Sequence, residues 1–177
     1  LLRESTLARR TDRVPAVLRV ASLRNLHRVA GQMARHRKRG ARLVELPSLD
    51  LYARESMAVS LSELRDPLGR REWISKLTGG FAEPWTFGER ARDWILEHAN
   101  DFDVVHDNQT LADGILDLQR SGVPVVTTIH HPITRDRRVA LSGETRWWWR
   151  LLIRRWHRFL SMQARVASQL DHIVTVS

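Results

Sequence analysis

The chain has 177 residues, no cysteine and a formal net charge of +9, a length that suits one domain with a full core and is short for two. The absence of cysteine excludes disulfides and thiolate metal sites, and no run of about 18 uncharged apolar residues is present to form a membrane span. The positive charge comes from residues 1–40, which hold 11 basic and 2 acidic side chains, whereas residues 41–177 hold 18 of each.

The first 40 residues form an atypical basic segment. Apolar residues recur three or four apart from Pro15 to about Arg37, which predicts a helix. The charge has two interpretations: a polybasic arm that binds nucleic acid or anionic lipid, or a disordered or mis-translated start. We favour the second and expect no nucleic-acid partner. Arginines also stand where a secretory leader is apolar, so we expect a cytoplasmic protein.

The next part of the chain predicts few regular elements. Residues 41–46 predict a strand that is followed by a loop. Residues 53–85 contain prolines and glycines that predict an irregular stretch. Thr86 is a suitable helix N-cap, with Glu89 three places later as in a capping box. A helix is therefore predicted from Thr86 to about Ala99.

An alternation of strands and helices begins near residue 102. Apolar, β-branched runs predict buried parallel strands, and segments with one apolar face predict helices between them. This order predicts an α/β fold with a Rossmann-like, doubly wound parallel sheet. The predicted elements are strand 102–106, helix 110–120, strand 125–130, a long helix over about 144–170 and strand 172–177.

Polar side chains end the first two of these strands. Asp107 and Asn108 follow the first strand, where such residues typically cap the next helix, and His106 is explained equally well as a half-buried structural histidine. His130 and His131 end the second strand, but adjacent strand residues face opposite sides, so no metal site is predicted. A single imidazole there can bind a sugar hydroxyl or stabilise developing charge, although the local pattern alone slightly favours a structural histidine.

The predicted long helix combines arginine with tryptophan. Its arginines fall within about 80° of one another around the helix axis, which makes one basic stripe. Two interpretations stay open: contact of the helix start with an anionic membrane, or an amphipathic helix with a solvated basic side. The stripe consists of Arg150, Arg154, Arg158 and Arg165, and three tryptophans, Trp147, Trp148 and Trp149, precede it.

Six segments of the chain together resemble a known family. The most specific are FDVVHDNQTL at 102–111 and GVPVVTTIHHPITRDRR at 122–138, in this order. With LPSLDLY, GFAEPWTF, the Trp/Arg helix and IVTVS, they resemble family-4-type retaining glycosyltransferases. The likeness is to the N-terminal, acceptor-side half of the two-domain GT-B fold, and it covers about residues 41–177.

The resemblance implies a catalytic role for His130. This residue matches the family's conserved histidine at the end of the strand before the basic loop, a side chain that lies at the interdomain cleft near the transferred sugar. The HDNQ turn falls where family members present polar groups to that cleft, which implies acceptor binding by Asn108. We also assign His131, Arg137 and Arg138 to acceptor binding.

The resemblance also implies the partners of the domain. A nucleotide-sugar donor is bound mainly by a C-terminal domain, a lipid or glycan is the acceptor, and neither a catalytic metal nor a cofactor is needed. A location at the inner face of the plasma membrane follows from the Trp/Arg helix. We assign this membrane contact to Trp147, Trp148, Arg150, Arg154 and Arg158.

The chain departs from the family pattern at both ends. Residues 1–40 lack the apolar strand and glycine-rich loop with which the family opens, and the sequence stops at Ser177, before a donor-binding domain. We therefore expect a fragment, inactive alone, of an enzyme that transfers a hexose with retention. The alternative is a non-catalytic basic module that binds anionic membrane or nucleic acid.

Overall fold

The structure, a computed structural model, describes residues 44–52, 54 and 58–176. These residues form six α-helices, three β-strands and short 3-10 helices at Glu63–Arg65 and Ala99–Asp101. None of the described helices has the length and apolar character needed to cross a membrane. The helices are α1 (Pro67–Leu77), α2 (Glu83–Glu97), α3 (Asp113–Arg120), α4 (Ile133–Ser142), α5 (Trp147–Trp156) and α6 (Phe159–Ala167), and the strands are β1 (Val105–Asn108), β2 (Val125–Ile129) and β3 (Ile173–Thr175).

The three described strands form one parallel sheet in the order β1-β2-β3. Val105 aligns with Val125 and Thr127 aligns with Ile173. Parallel strands need long crossover connections, and these are provided by α3 between β1 and β2 and by α4 to α6 between β2 and β3. The predicted Rossmann-like α/β fold is thus confirmed. The described strands follow chain order, so the change of direction in a doubly wound sheet is not among them.

The hydrophobic core lies where helices α2, α3 and α6 pack with the central strand β2. Apolar side chains from each of these elements are almost completely buried. They are contributed by the helix faces that the 3.6-residue period predicts. The most buried members include Ala91, Ile95, Ile115, Leu118, Val125 and Val166.

Two glycines allow α2 and α3 to pack in direct backbone contact. A Cβ on Gly114 would overlap the backbone of Gly88, and a Cβ on Gly88 would overlap the side chain of Ala112. Both glycines are buried. The contact fixes the start of α3 against α2, and the loop that follows β1 leads directly into that start.

Helix α1 occupies a stretch that was predicted to be irregular, so this prediction is wrong. Pro67 lies in the first turn, where helical N–H groups have no partner in the helix. Asp66 is the N-cap, and its carboxylate accepts hydrogen bonds from the N–H groups of Leu68 and Gly69, both at 3.0 Å. The proline and the glycine therefore belong to a capped helix start and do not break the element.

A buried ion pair attaches α1 to α2. Glu72 of α1 and Arg90 of α2 are both buried and form a salt bridge. Glu72 also accepts a hydrogen bond from Leu49 N at 3.0 Å, and Arg90 donates to Asp66 at 2.7 Å. Breaking one partner of such a pair leaves a buried charge without compensation, so the residues hold α1, α2 and the loop at Leu49 together.

Two predicted helix boundaries are wrong. α2 begins at Glu83, so Thr86 lies inside the helix, and its hydroxyl donates to Glu83 O at 3.3 Å instead of capping the end. The predicted helix over 144–170 is two helices, because α5 ends where both the N–H and the ring of His157 bond to Ile153 O. The four arginines of the predicted stripe therefore do not share one continuous helix.

The predicted strands fit the structure unevenly. β2 matches its prediction to within one residue, whereas β1 begins three residues later than predicted and includes Asn108. Residues 44–46, the described part of the first predicted strand, are not a strand. The helix predicted between Pro15 and Arg37 lies outside the described residues.

Replacing Gly114 with alanine is expected to lower the free energy of unfolding by about 1–3 kcal/mol, because the added methyl group forces α2 and α3 apart. Denaturant unfolding measures this change. Gly143→Ala is the matched control, since the nearest atom to its Cβ position is 3.8 Å away. Unchanged stability of Gly114→Ala would contradict the close helix contact.

Candidate functional site

The carboxyl ends of β1 and β2 bring two polar side chains together at one edge of the sheet. Asn108 is the last residue of β1 and aligns with Thr128, two residues before His130. The Asn108 Oδ1 atom and the His130 Nε2 atom form a hydrogen bond. Both residues are exposed. This edge is where ligands bind in open parallel α/β sheets, so the pair occupies the expected position of a site.

Gln109 fixes the chain at the end of β2. Its Oε1 atom accepts hydrogen bonds from His130 N at 2.8 Å and His131 N at 3.1 Å, and its Nε2 atom donates to His131 O. One amide side chain thus satisfies three backbone groups beyond the sheet. Gln109 reaches them from a left-handed backbone conformation, with φ of 64°.

Asp107 stabilises the loop between β1 and α3. Its buried carboxylate accepts hydrogen bonds from Thr110 N at 3.0 Å and Leu111 N at 3.1 Å, and from the Thr127 hydroxyl at 3.3 Å. α3 itself begins later, after Ala112, with no side-chain cap. The prediction that Asp107 and Asn108 cap the helix is therefore wrong, because Asp107 bonds to the loop and Asn108 to His130.

Gln163 of α6 supports the same loop from the protein interior. Its buried side chain donates to Gln109 O at 3.3 Å and to Thr110 O at 3.1 Å. A buried amide of this kind holds backbone carbonyls that would otherwise lack partners. The loop after β1 is consequently bonded to strand β2 through Asp107, to the chain after β2 through Gln109 and to α6 through Gln163.

The remaining histidines of the predicted site have protein partners. The His106 Nε2 atom is 2.7 Å from the Thr128 hydroxyl oxygen, which suits a structural histidine, but the residue is exposed and not half-buried as predicted. His131 Nε2 is 2.6 Å from a carboxylate oxygen of Asp136, and both side chains are about half exposed. Within the described residues, no three histidine or carboxylate side chains come together as metal ligands would.

The arginines assigned to acceptor binding lie on α4. This helix begins three residues after His130, and Arg137 and Arg138 lie in its second turn. Arg137 is half-buried and Arg138 is exposed. Neither forms an ion pair with a carboxylate in the part of the chain that the structure describes.

The residues assigned to membrane contact divide into two groups. Trp147 and Trp148 are 72% and 45% exposed on α5, and Arg154 and Arg158 are exposed as well. Arg150 differs, because its guanidinium donates to Leu141 O at 2.6 Å and to Glu144 O at 2.9 Å. Arg150 therefore stabilises the turn between α4 and α5.

Sequence reasoning missed the two glutamines that build the site. Gln109 was quoted only as part of the HDNQ turn, and Gln163 was not singled out. Their partners lie 21 to 54 residues away along the chain, and no local spacing marks such contacts. The position of Gln109 directly after two polar strand-end residues was the available signal.

Comparison with known proteins decides the family. The sequence model described as Glycosyltransferase Family 4 matches residues 49–177, which is well over half of the chain. The chain belongs to glycosyltransferase family 4. The resemblance drawn from the sequence motifs is thus confirmed, over nearly the residues that carried it. In this family-4 chain, the matched region includes the whole described sheet and both strand ends.

A curated relative of this family-4 chain extends the comparison. The relative is named MMP alpha-(1->4)-mannosyltransferase and comes from Mycolicibacterium hassiacum. It is 46% identical over 139 residues, which cover 77% of this chain and 33% of the relative. The chain thus spans about a third of the length of the relative that it matches.

Proposed function

We propose that this chain is the acceptor-side domain of a retaining glycosyltransferase. The transferred sugar would be a hexose, with mannose the first choice because the relative is named a mannosyltransferase. A nucleotide-sugar is the donor and a glycan or lipid is the acceptor. The observation that supports this proposal most strongly is the Asn108–His130 pair at the carboxyl edge of a parallel sheet.

The hydrogen bond to Asn108 orients the His130 ring. An amide oxygen only accepts hydrogen bonds, so the Nε2 atom of His130 carries the hydrogen when it faces Asn108 Oδ1. The other nitrogen, Nδ1, has no hydrogen-bond partner among the described residues. A neutral ring would accept a hydrogen bond from a sugar hydroxyl through Nδ1, and a protonated ring would donate there to developing negative charge.

Four residues near His130 are assigned to acceptor binding. Asn108 presents its amide nitrogen beside the ring, since its oxygen is engaged by His130. His131 is held by Asp136, which positions it at the start of α4. Arg137 and Arg138 add positive charge to the same helix, suited to an acceptor that carries an anionic group.

The chain is expected to be inactive without a donor-binding domain. It matches only 33% of the mannosyltransferase relative, and we assign the nucleotide-sugar mainly to the part of such a protein that the match does not cover. His130 would then lie on the acceptor wall of a cleft between two domains. The Gln109 bonds to the backbone of residues 130 and 131 hold that wall in place before a ligand arrives.

Replacing His130 with alanine is expected to lower transfer about 100-fold or more, as the loss of one group that stabilises the transition state typically does. The assay joins this chain to the unmatched part of the mannosyltransferase relative and measures release of the nucleotide from the donor. His172→Ala is the control, because His172 lies before β3, at the opposite edge of the sheet from His130. Near-normal transfer by His130→Ala would contradict the catalytic assignment.

A second proposal concerns membrane contact by α5, and it is favoured by the exposed apolar surface of this helix. Trp147, Trp148 and Leu151 are 72%, 45% and 51% exposed. Arg146, just before the helix, pairs with Glu144 at 2.9 Å and helps to lower the pKa of that carboxyl to about 2. Tryptophan beside arginine is typical of helices that lie in an anionic membrane interface. We therefore propose a peripheral position at the cytoplasmic face of the membrane.

The double variant Trp147→Ala/Trp148→Ala is expected to bind vesicles that contain anionic phospholipid about tenfold more weakly, because it removes the two side chains that would enter the interface. Co-sedimentation of the chain with vesicles measures this. Leu61→Ala is the control, since Leu61 is 85% exposed and lies in a turn before α1. Equal losses in both variants would contradict the assignment. Binding to nucleic acid, the other alternative, rests on residues 1–40, which lie outside the described residues.

A further inference from the structure

A pocket away from the Asn108–His130 pair is lined by five arginines. It lies between α1, the start of α2, the end of α5 and α6. Its volume of about 650 Å³ is typical of pockets for small molecules. The sequence did not predict this pocket, because the stretch that forms α1 was predicted to be irregular. The charged residues that line it are Arg70, Arg71, Arg155, Arg158, Arg165 and Asp113.

Among the residues that the structure describes, only one of these arginines is paired with a carboxylate. Arg165 is bonded to Asp113 at 2.8 Å. The other four form no ion pair with any carboxylate in residues 44–52, 54 and 58–176. A pocket with one acidic and five basic side chains has a strong net positive charge, and such a surface attracts anions.

Two of the arginines are held in place by contacts that leave donors available. The Arg71 guanidinium lies over the ring of Trp85, 3.4 Å from its centroid, so its N–H groups point outward around the edge of the stack. Arg155 uses one nitrogen to donate to the Thr78 hydroxyl at 2.9 Å. Gly80 also packs closely against this guanidinium, since a Cβ on Gly80 would lie 2.8 Å from it.

Apolar side chains also line the pocket. Phe81 meets Phe159 edge-on at 5.4 Å and stacks on Trp156 at 4.9 Å. Phe81, Phe159 and the buried side chain of Met162 line the cavity together with Trp85. The pocket thus combines guanidinium groups with aromatic surface.

We propose that this pocket binds a phosphate group attached to an apolar or ring-bearing moiety. Guanidinium groups form paired, charge-assisted hydrogen bonds with phosphate oxygens, and several of them suit the high charge of a phosphate monoester or a diphosphate. The aromatic side chains that line the pocket then contact the attached group. The phosphate is supplied either by a soluble ester or by a lipid headgroup. Neither Asn108 nor His130 lines this pocket.

Titration of the 177-residue chain with phenyl phosphate tests the pocket. Phenyl phosphate is expected to bind more tightly than inorganic phosphate, because only the ester carries a ring that can contact the aromatic side chains of the pocket. The double variant Arg70→Gln/Arg71→Gln changes two pocket arginines that are not assigned to membrane contact. It is expected to bind phenyl phosphate at least tenfold more weakly, since each arginine lost removes a charge-assisted hydrogen bond. Arg120→Gln is the control: its exposed guanidinium lies at the end of α3 and pairs with Asp117. Thermal unfolding of each variant verifies that it is folded.

Vesicles of phosphatidylcholine and phosphatidic acid distinguish the two sources. If the double variant loses vesicle binding and phenyl phosphate displaces the unmodified chain, the ligand is a lipid headgroup. If vesicle binding is unchanged while phenyl phosphate binding is lost, the ligand is a soluble ester. Equal phenyl phosphate affinities of the double variant and Arg120→Gln would overturn the proposal, as would equal affinities of the unmodified chain for phenyl phosphate and inorganic phosphate.

Discussion

The position of His130 depends on the side-chain amide of Gln109, the residue that directly follows strand β1. Gln109 accepts hydrogen bonds from two successive N–H groups at residues 130 and 131 and donates to the carbonyl of His131. These groups lie beyond the last sheet pairing of β2 with β1, at Thr128. Without Gln109, the chain after β2 would lose its attachment to the loop after β1, and the Asn108–His130 pair would lose its fixed geometry.

Contacts from three other parts of the structure hold Gln109 and its loop in place. Asp107 and Gln163 bond the loop from two sides, and the glycine contact between α2 and α3 fixes the helix into which the loop leads. Core packing thus determines the position of two exposed polar residues at a sheet edge. This arrangement suits the role proposed for His130, because a preorganised group stabilises a transition state better than one that must first be ordered.

The sequence predicted those features that depend on local pattern. β2 was located closely because a β-branched apolar run between Pro124 and His130 suits a buried parallel strand, and the order of strands and helices predicted the parallel sheet. Features that depend on distant contacts were missed. Pro67 and Gly69 were interpreted as helix breakers, although the Asp66 cap and the Glu72–Arg90 pair make them part of α1.

The same division applies to the candidate site. His130 and Asn108 were identified as site residues, and the structure brings them together. The support from Gln109 was missed, because its partners lie 21 and 22 residues away along the chain and because it requires a positive φ at a residue that is not glycine. The arginine pocket was missed for a related reason: α1, α2, α5 and α6 meet there only through tertiary packing.

Amide hydrogen exchange at residues 130 and 131 tests the central claim most directly. In Gln109→Ala, both amides are expected to exchange about tenfold faster than in the unmodified chain, because each loses its hydrogen-bond acceptor. Gln169→Ala is the control, since its exposed side chain bonds to Arg120 and to Arg165 O near the end of α6. Unchanged exchange at His130 and His131 in Gln109→Ala would contradict the account.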